Sequence, residues 1–231
     1  VVKELDRRFD PAKPDLKLLF RFAASPSSSR PEVRKVLVGW IDRSVGVWSK
    51  DEQAVFSLPL AVDGAVRAAV VEALSRTFEG DAALRAEYAP GFLAILQKPE
   101  ATPGQYAAFA AIARRSLLYE LGAKLDMDAL MTWLDEGSSS GRSVAGAILG
   151  VRPGALQALG MERIVAMADD EIAAVRGAAH ALLRSALDQL RADPSVLFAL
   201  AESIWDDTRD VVPAPYTHLR AHETGLGRVC R

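Results

Sequence analysis

The chain has 231 residues, half of them apolar, enough for one large domain or two small ones with a substantial core. Its 28 Lys and Arg nearly balance its 30 Asp and Glu, so it lacks the basic excess of a nucleic-acid or anionic-membrane binder. No apolar run approaches the roughly 18 to 20 residues of a membrane span, and Val1, Val2, Lys3, Glu4 open without a basic-then-apolar signal pattern, which predicts a cytoplasmic protein.

Residues 16–22 have the apolar spacing of an incomplete helical repeat, and Pro26-Ser27-Ser28-Ser29 reads as a flexible loop before a helix start at Ser29-Arg30-Pro31. The nonapeptide from Val33 to Ile41 has the form Val-Arg-x-x-apolar-x-x-apolar-apolar. It returns at Val66 to Leu74 and at Val175 to Leu183. Weaker copies begin at Gly104, Gly141 and Thr208, so the starts at 33, 66, 104, 141, 175 and 208 lie 33, 38, 37, 34 and 33 residues apart. Apolar positions at i, i+4, i+7 and i+8 make one face of a helix, not the alternation of a strand.

A second apolar segment precedes each later copy, at residues 55–60, 92–96, 130–134, 164–167 and 196–200, so each repeat is predicted to be two helices. Thr102-Pro103 and Asp193-Pro194 offer further helix starts, Asp126 and Asp128 offer caps for the helix carrying Leu130 and Trp133, and the alanines of 107–113 favour helix. Gly80, Gly137 and Gly160 suit interruptions or ends, and Gly137-Ser138-Ser139-Ser140-Gly141 reads as a second flexible loop without the Lys of a phosphate-binding motif. A helix pair this short cannot bury its apolar face alone, so neighbours must stack; the predicted class is an all-α solenoid.

The apolar-Arg-x-x-Ala-x-x-Ala-Leu helix preceded by an acidic turn resembles HEAT repeats, over nearly all of residues 31–212. The resemblance implies a right-handed α-solenoid of about five to six stacked antiparallel helix pairs. It also implies a ladder between adjacent repeats on Arg34, Asp63, Arg67, Arg142, Asp170, Arg176, Asp207 and Arg209, with Asp63 set beside Arg67, Asp170 or Glu171 beside Arg176, and Asp207 beside Arg209. Arg34 has only Glu32 nearby, and Gln105 replaces Arg in the third copy. Physically, a guanidinium can lay its stem along apolar surface while bonding a carboxylate and loop carbonyls, so a recurring Arg at a seam is a structural device.

Arg43, Arg76, Arg114, Arg152 and Arg184 follow the motif starts by 9 to 11 residues. As a column at helix C-termini they complement the helix dipole, or form a basic stripe that reads an acidic partner or a phosphate backbone. Trp40, Trp48, Trp133 and Trp205 are core or seam residues, with Trp48 and Trp205 near turns and open to partial exposure. His180 falls on a non-core position of its motif helix, as a solvated or seam histidine. Asp169-Asp170 and Asp206-Asp207 recur at one repeat site, which suits turn and cap chemistry better than paired catalytic carboxylates.

Residues 216–224, Tyr-Thr-His-Leu-Arg-Ala-His-Glu-Thr, resemble the conceptual translation of a transposase-type sequencing-library adaptor, and Val229, Cys230 and Arg231 match its continuation. Residues 213–231 are therefore expected to be non-native or disordered, beyond a repeat region at 1–212. That tail holds the only Cys and two of the three His, leaving a body with 25 basic and 29 acidic residues and His180 alone. No disulfide, metal or other cofactor is expected there. A first residue other than Met and a motif cut short at Thr208 suggest a fragment of a larger repeat protein, whose uncapped apolar ends would favour self-association. The expected function is a scaffold for another protein, not an enzyme. The alternative is a HEAT-like DNA-repair glycosylase or other nucleic-acid-binding HEAT protein, which the net acidity of the body disfavours. A second enzymatic alternative is a HEAT-like metal hydroxylase or a bilin lyase; the hydroxylase type would show recurring His-Glu pairs, and the single one, His222-Glu223, lies in the tail.

Overall fold

The computed structural model describes residues 2–211, which are all-helical with no strand among them; the expectations for the tail concern residues outside this range. No helix among the described residues is long and apolar enough to cross a membrane. The described residues divide into two units, one of residues 2–125 with 136–141 and one of residues 126–135 with 142–211.

The first unit contains α1 (Val2–Arg8), α2 (Leu16–Ala23), α3 (Pro31–Arg43), α4 (Val45–Trp48), α5 (Glu52–Ser57), α6 (Gly64–Gly80), α7 (Ala82–Leu96), α8 (Ala107–Ser116) and α9 (Leu118–Gly122). The motif helices α3, α6 and α8 pack in sequence, α3 on α6 and α6 on α8. Their buried faces follow the predicted spacing: Val33, Leu37, Trp40 and Ile41 on α3, and Val66, Val70, Ala73 and Leu74 on α6. Phe56, Phe78, Tyr88, Phe92 and Phe109 form one aromatic cluster, with Phe92 5.6 Å from Phe56, 5.9 Å from Phe78 and 5.4 Å from Phe109 between ring centroids. Gly91 on α7 lets the Phe56 ring lie against the backbone; a Cβ there would fall 2.4 Å from Phe56 Cζ.

The second unit contains α10 (Met127–Glu136) and α11 (Ser139–Val151), apart from the residues at 136–141, followed by α12 (Ala155–Ala168), α13 (Ala173–Ser185), α14 (Leu187–Ala192), α15 (Pro194–Ala201) and α16 (Asp206–Arg209). Helix α12 packs on both α13 and α15. Gly160, at φ 70°, kinks α12 where an L side chain would be strained. α11 and α13 approach closely, because a Cβ on Gly150 would sit 3.0 Å from the Ala178 Cα, and one on Gly146 3.1 Å from the Val175 Cα. Backbone cannot step aside, so Gly150→Val is expected to cost about 2–3 kcal/mol by overpacking. Gly177→Ala on the same seam helix has open space around it and should stabilise by up to about 1 kcal/mol through helix propensity. Opposite signs in paired urea melts check the packing; equal effects contradict it.

Aspartates start many of these helices. Asp15, Asp51, Asp63, Asp81, Asp126 and Asp193 each accept from a backbone N–H of the first turn that follows, satisfying donors that have no partner within the helix. Of the two caps offered to α10, Asp126 serves and Asp128 lies in the first turn.

Several expectations are corrected. Three copies are not simple helix pairs: α3, α8 and α13 each stop at a residue with φ near −110 to −120° (Ser44, Leu117, Ala186), and the short helices α4, α9 and α14 follow. Thr102-Pro103 lies in a turn, and α8 starts only at Ala107. Residues 26–29 form a 3-10 turn with Ser28 buried, and residues 139–141 open α11, so neither serine-rich segment is an irregular loop throughout. Trp48 is fully buried, its indole Nε1 donating to Ile41 O at 2.8 Å, because the break at Ser44 turns α4 back onto α3. Trp205 is half-buried.

Candidate functional site

Six of the eight predicted ladder residues come together, with partners displaced by one repeat. Arg34 reaches forward to Asp63 at 2.9 Å, Arg142 to Asp170 at 2.5 Å, and Arg176 to both oxygens of Asp207 at 3.1 Å. Each pair is 28 to 31 residues apart. The within-repeat pairing of Asp63 with Arg67, Asp170 with Arg176 and Asp207 with Arg209 is therefore incorrect. For Asp63 and Asp170 the reason is geometric: the acid precedes the Arg at the helix start, where one oxygen takes a backbone N–H. Asp63 Oδ1 caps Ala65 and Val66, and Asp170 Oδ1 receives Ile172 N, leaving the other oxygen turned to the preceding repeat.

What each Arg does within its own repeat is to hold the turn before it. Arg34 donates to Ser29 O, Arg67 to Ala61 O and Val62 O, Arg142 to Leu134 O, Arg176 to Asp170 O and Glu171 O, and Arg209 to Ser203 O. Arg209 also pairs with Asp206. Arg176 is the most enclosed, 7% exposed, with its guanidinium 3.9 Å over the Trp205 ring. Burial works against the charge on Asp63, but hydrogen bonds from Val66 N, Arg34 and Ala65 N outweigh it and hold the carboxyl below its usual range.

Two of the five residues of the basic column belong to a second ladder running the opposite way. Arg43 reaches back to Asp6 at 2.7 Å and Arg76 back to Asp42 at 2.6 Å, 37 and 34 residues earlier. Hydrogen bonds from Arg43 and Trp40 hold the Asp6 carboxyl below its usual range, fixing α1 against α3 where Phe9 also stacks on Trp40 at 4.7 Å. In the third copy Arg115, not Arg114, continues this ladder, to Glu79 and Glu72. Arg114 and Arg184 are exposed, and Arg152 is half-buried. A basic stripe built on Arg43 and Arg76 thus meets carboxylates already in place.

Sequence reading missed several of these contacts. Arg85 pairs with Glu120 at 2.6 Å, both half-buried, and Arg163 pairs with Asp135. Where Gln105 interrupts the arginines, Glu100 gathers Ser140 Oγ at 2.6 Å, Ser139 Oγ at 2.9 Å and Tyr106 N at 2.9 Å. Its burial opposes the charge, and these donors more than offset that, lowering its pKa. Acid and base one repeat length apart, as in Arg85 and Glu120, were the available signal.

His180 is buried, 5% exposed, which corrects its placement on a non-core position; the flank of α13 faces α16 as well as the core. Thr208 Oγ1 donates to Ala168 O at 2.5 Å, so it must accept from His180 Nε2–H at 2.9 Å, which fixes the neutral tautomer. Burial pushes the imidazole pKa down; Arg184 and Arg176 add to this and Asp207 opposes it. Below about pH 6.5 the unfolded chain binds a proton that the folded imidazole refuses, so stability falls as pH drops from there toward the folded pKa. Denaturant melts at pH 7.5 and 5.5 should show this loss, and His180→Asn should reduce it. An undiminished loss in the variant contradicts the assignment.

Among the described residues no group of three or more His, Cys, Asp and Glu is placed to hold a metal ion. No family model matches the chain, and no curated protein or solved structure is found to be similar to it.

Proposed function

We propose that this chain is a HEAT-like α-solenoid that acts as a protein-binding scaffold and not as an enzyme. The observation that carries the reading is the forward rung seen at three repeats, in which one motif arginine grips its own preceding turn and an aspartate near the start of the next motif helix. A device repeated at the motif period joins neighbours only, which is how a quasi-one-dimensional stack is built, and such stacks present extended surfaces to partners. Pairing of Arg43 and Arg76 with Asp6 and Asp42 weighs against a nucleic-acid surface on the basic column. The test is selection of a displayed random-peptide library on the immobilised chain. One enriched consensus, binding 1:1 in solution as a synthetic peptide, is expected; repeated selections that enrich no consensus contradict the scaffold reading.

A further inference from the structure

In the first unit, the seam between the second helix of one repeat and that of the next is filled from within. Phe56, eleven residues before the motif arginine Arg67, lies over Gly91 and packs 5.8 Å from Tyr88 and 5.6 Å from Phe92. The corresponding position in the second unit, eleven residues before Arg176, is Val165. There the seam between α12 and α15 is an open cavity of about 370 Å³. Its apolar part comes from Val165, Ala166, Ala199 and Leu200, with Ile204 beside it 78% exposed. Its rim carries Glu162, Asp169 and Glu202, all exposed, and among the described residues no basic side chain lines it.

We propose that this cavity receives an aromatic side chain of a partner protein, presented on a segment with Arg or Lys on either side. The first unit supplies the template for the anchor: the same seam takes a phenyl ring there. The charge supplies the flanks, since three carboxylates around an apolar floor favour cations beside the anchor and disfavour an acidic segment. Asp169 is held in place by Ser203 Oγ at 2.7 Å, so this part of the rim is preset. Aliphatic stems of Arg or Lys can lie along Ile204 while their heads reach the carboxylates. The inference rests on the scaffold reading and names one of its surfaces.

The probe is a fluorescein-labelled octapeptide with a central Arg-Phe-Arg, followed by fluorescence anisotropy against the full chain. Micromolar 1:1 binding is expected, weakened at least tenfold by exchanging the peptide's Phe for Ala. Val165→Phe fills the cavity as Phe56 fills its counterpart, and is expected to weaken binding at least tenfold while circular dichroism shows the fold retained. Glu162→Gln with Glu202→Gln, a surface pair that leaves the floor untouched, is expected to weaken binding about fivefold and flatten its salt dependence. Probe binding that neither set of variants alters places the peptide elsewhere and overturns the assignment, leaving the scaffold reading intact. The same holds if the probe does not bind while library selection yields a consensus of other chemistry. No probe binding and no consensus would overturn both.

Discussion

Replacing Arg176 with Met destabilises the second unit by about 2–4 kcal/mol in urea or thermal melts. The guanidinium donates to both oxygens of Asp207 and to the carbonyls of Asp170 and Glu171, and covers the Trp205 ring. Met keeps the apolar stem but leaves those carbonyls without their donor, and Asp207 without its counter-charge. Asp207 is 46% exposed and regains water, which keeps the loss below that of a fully buried pair. Lys restores charge without the fork that bonds two carbonyls and a carboxylate together, so Arg176→Lys recovers less than half of the loss. Arg114→Met, exposed on its motif helix, changes stability by less than about 0.5 kcal/mol. Equal effects at the two positions would contradict the assignment of Arg176 to the seam.

Phe92→Ala has the largest expected effect in the first unit, about 3–5 kcal/mol. The ring is fully buried at the centre of the aromatic cluster, in contact range of Phe56, Phe78 and Phe109 from three other helices. Removing it loses apolar burial and leaves a void that rigid rings cannot collapse to fill. Phe92→Leu retains much of the volume and is expected to cost less than half as much. A loss below 1 kcal/mol for the alanine variant in chemical denaturation would show that the cluster is not packed as described.

The helix faces were legible because a period near 3.6 places i, i+4, i+7 and i+8 on one side, and Val33, Leu37, Trp40 and Ile41 are buried accordingly. The identity of the ladder residues was legible for the same reason, since Arg and Asp recur at the repeat length. The choice of partner was not. A local reading puts Asp63 beside Arg67, but the first-turn N–H groups occupy one Asp63 oxygen, and Arg34 reaches the other from 29 residues away. The breaks at Ser44, Leu117 and Ala186 carry no Gly or Pro, so α4, α9 and α14 left no mark in the sequence. His180 illustrates a further limit: helical spacing identifies the core stripe, whereas a motif helix in these units also buries residues on its flank. The cavity beside Val165 is a difference of volume between helices, visible only once Phe56 is seen filling the corresponding place.

The joining of repeats by a forward arginine rung is tested most directly by double-mutant cycles on Asp207, paired once with Arg176 and once with Arg209. Coupling of about 1–2 kcal/mol to Arg176, and below about 0.5 kcal/mol to Arg209, is the expected result. Coupling to Arg209 with none to Arg176 would return the ladder to contacts within single repeats and contradict the proposed stack.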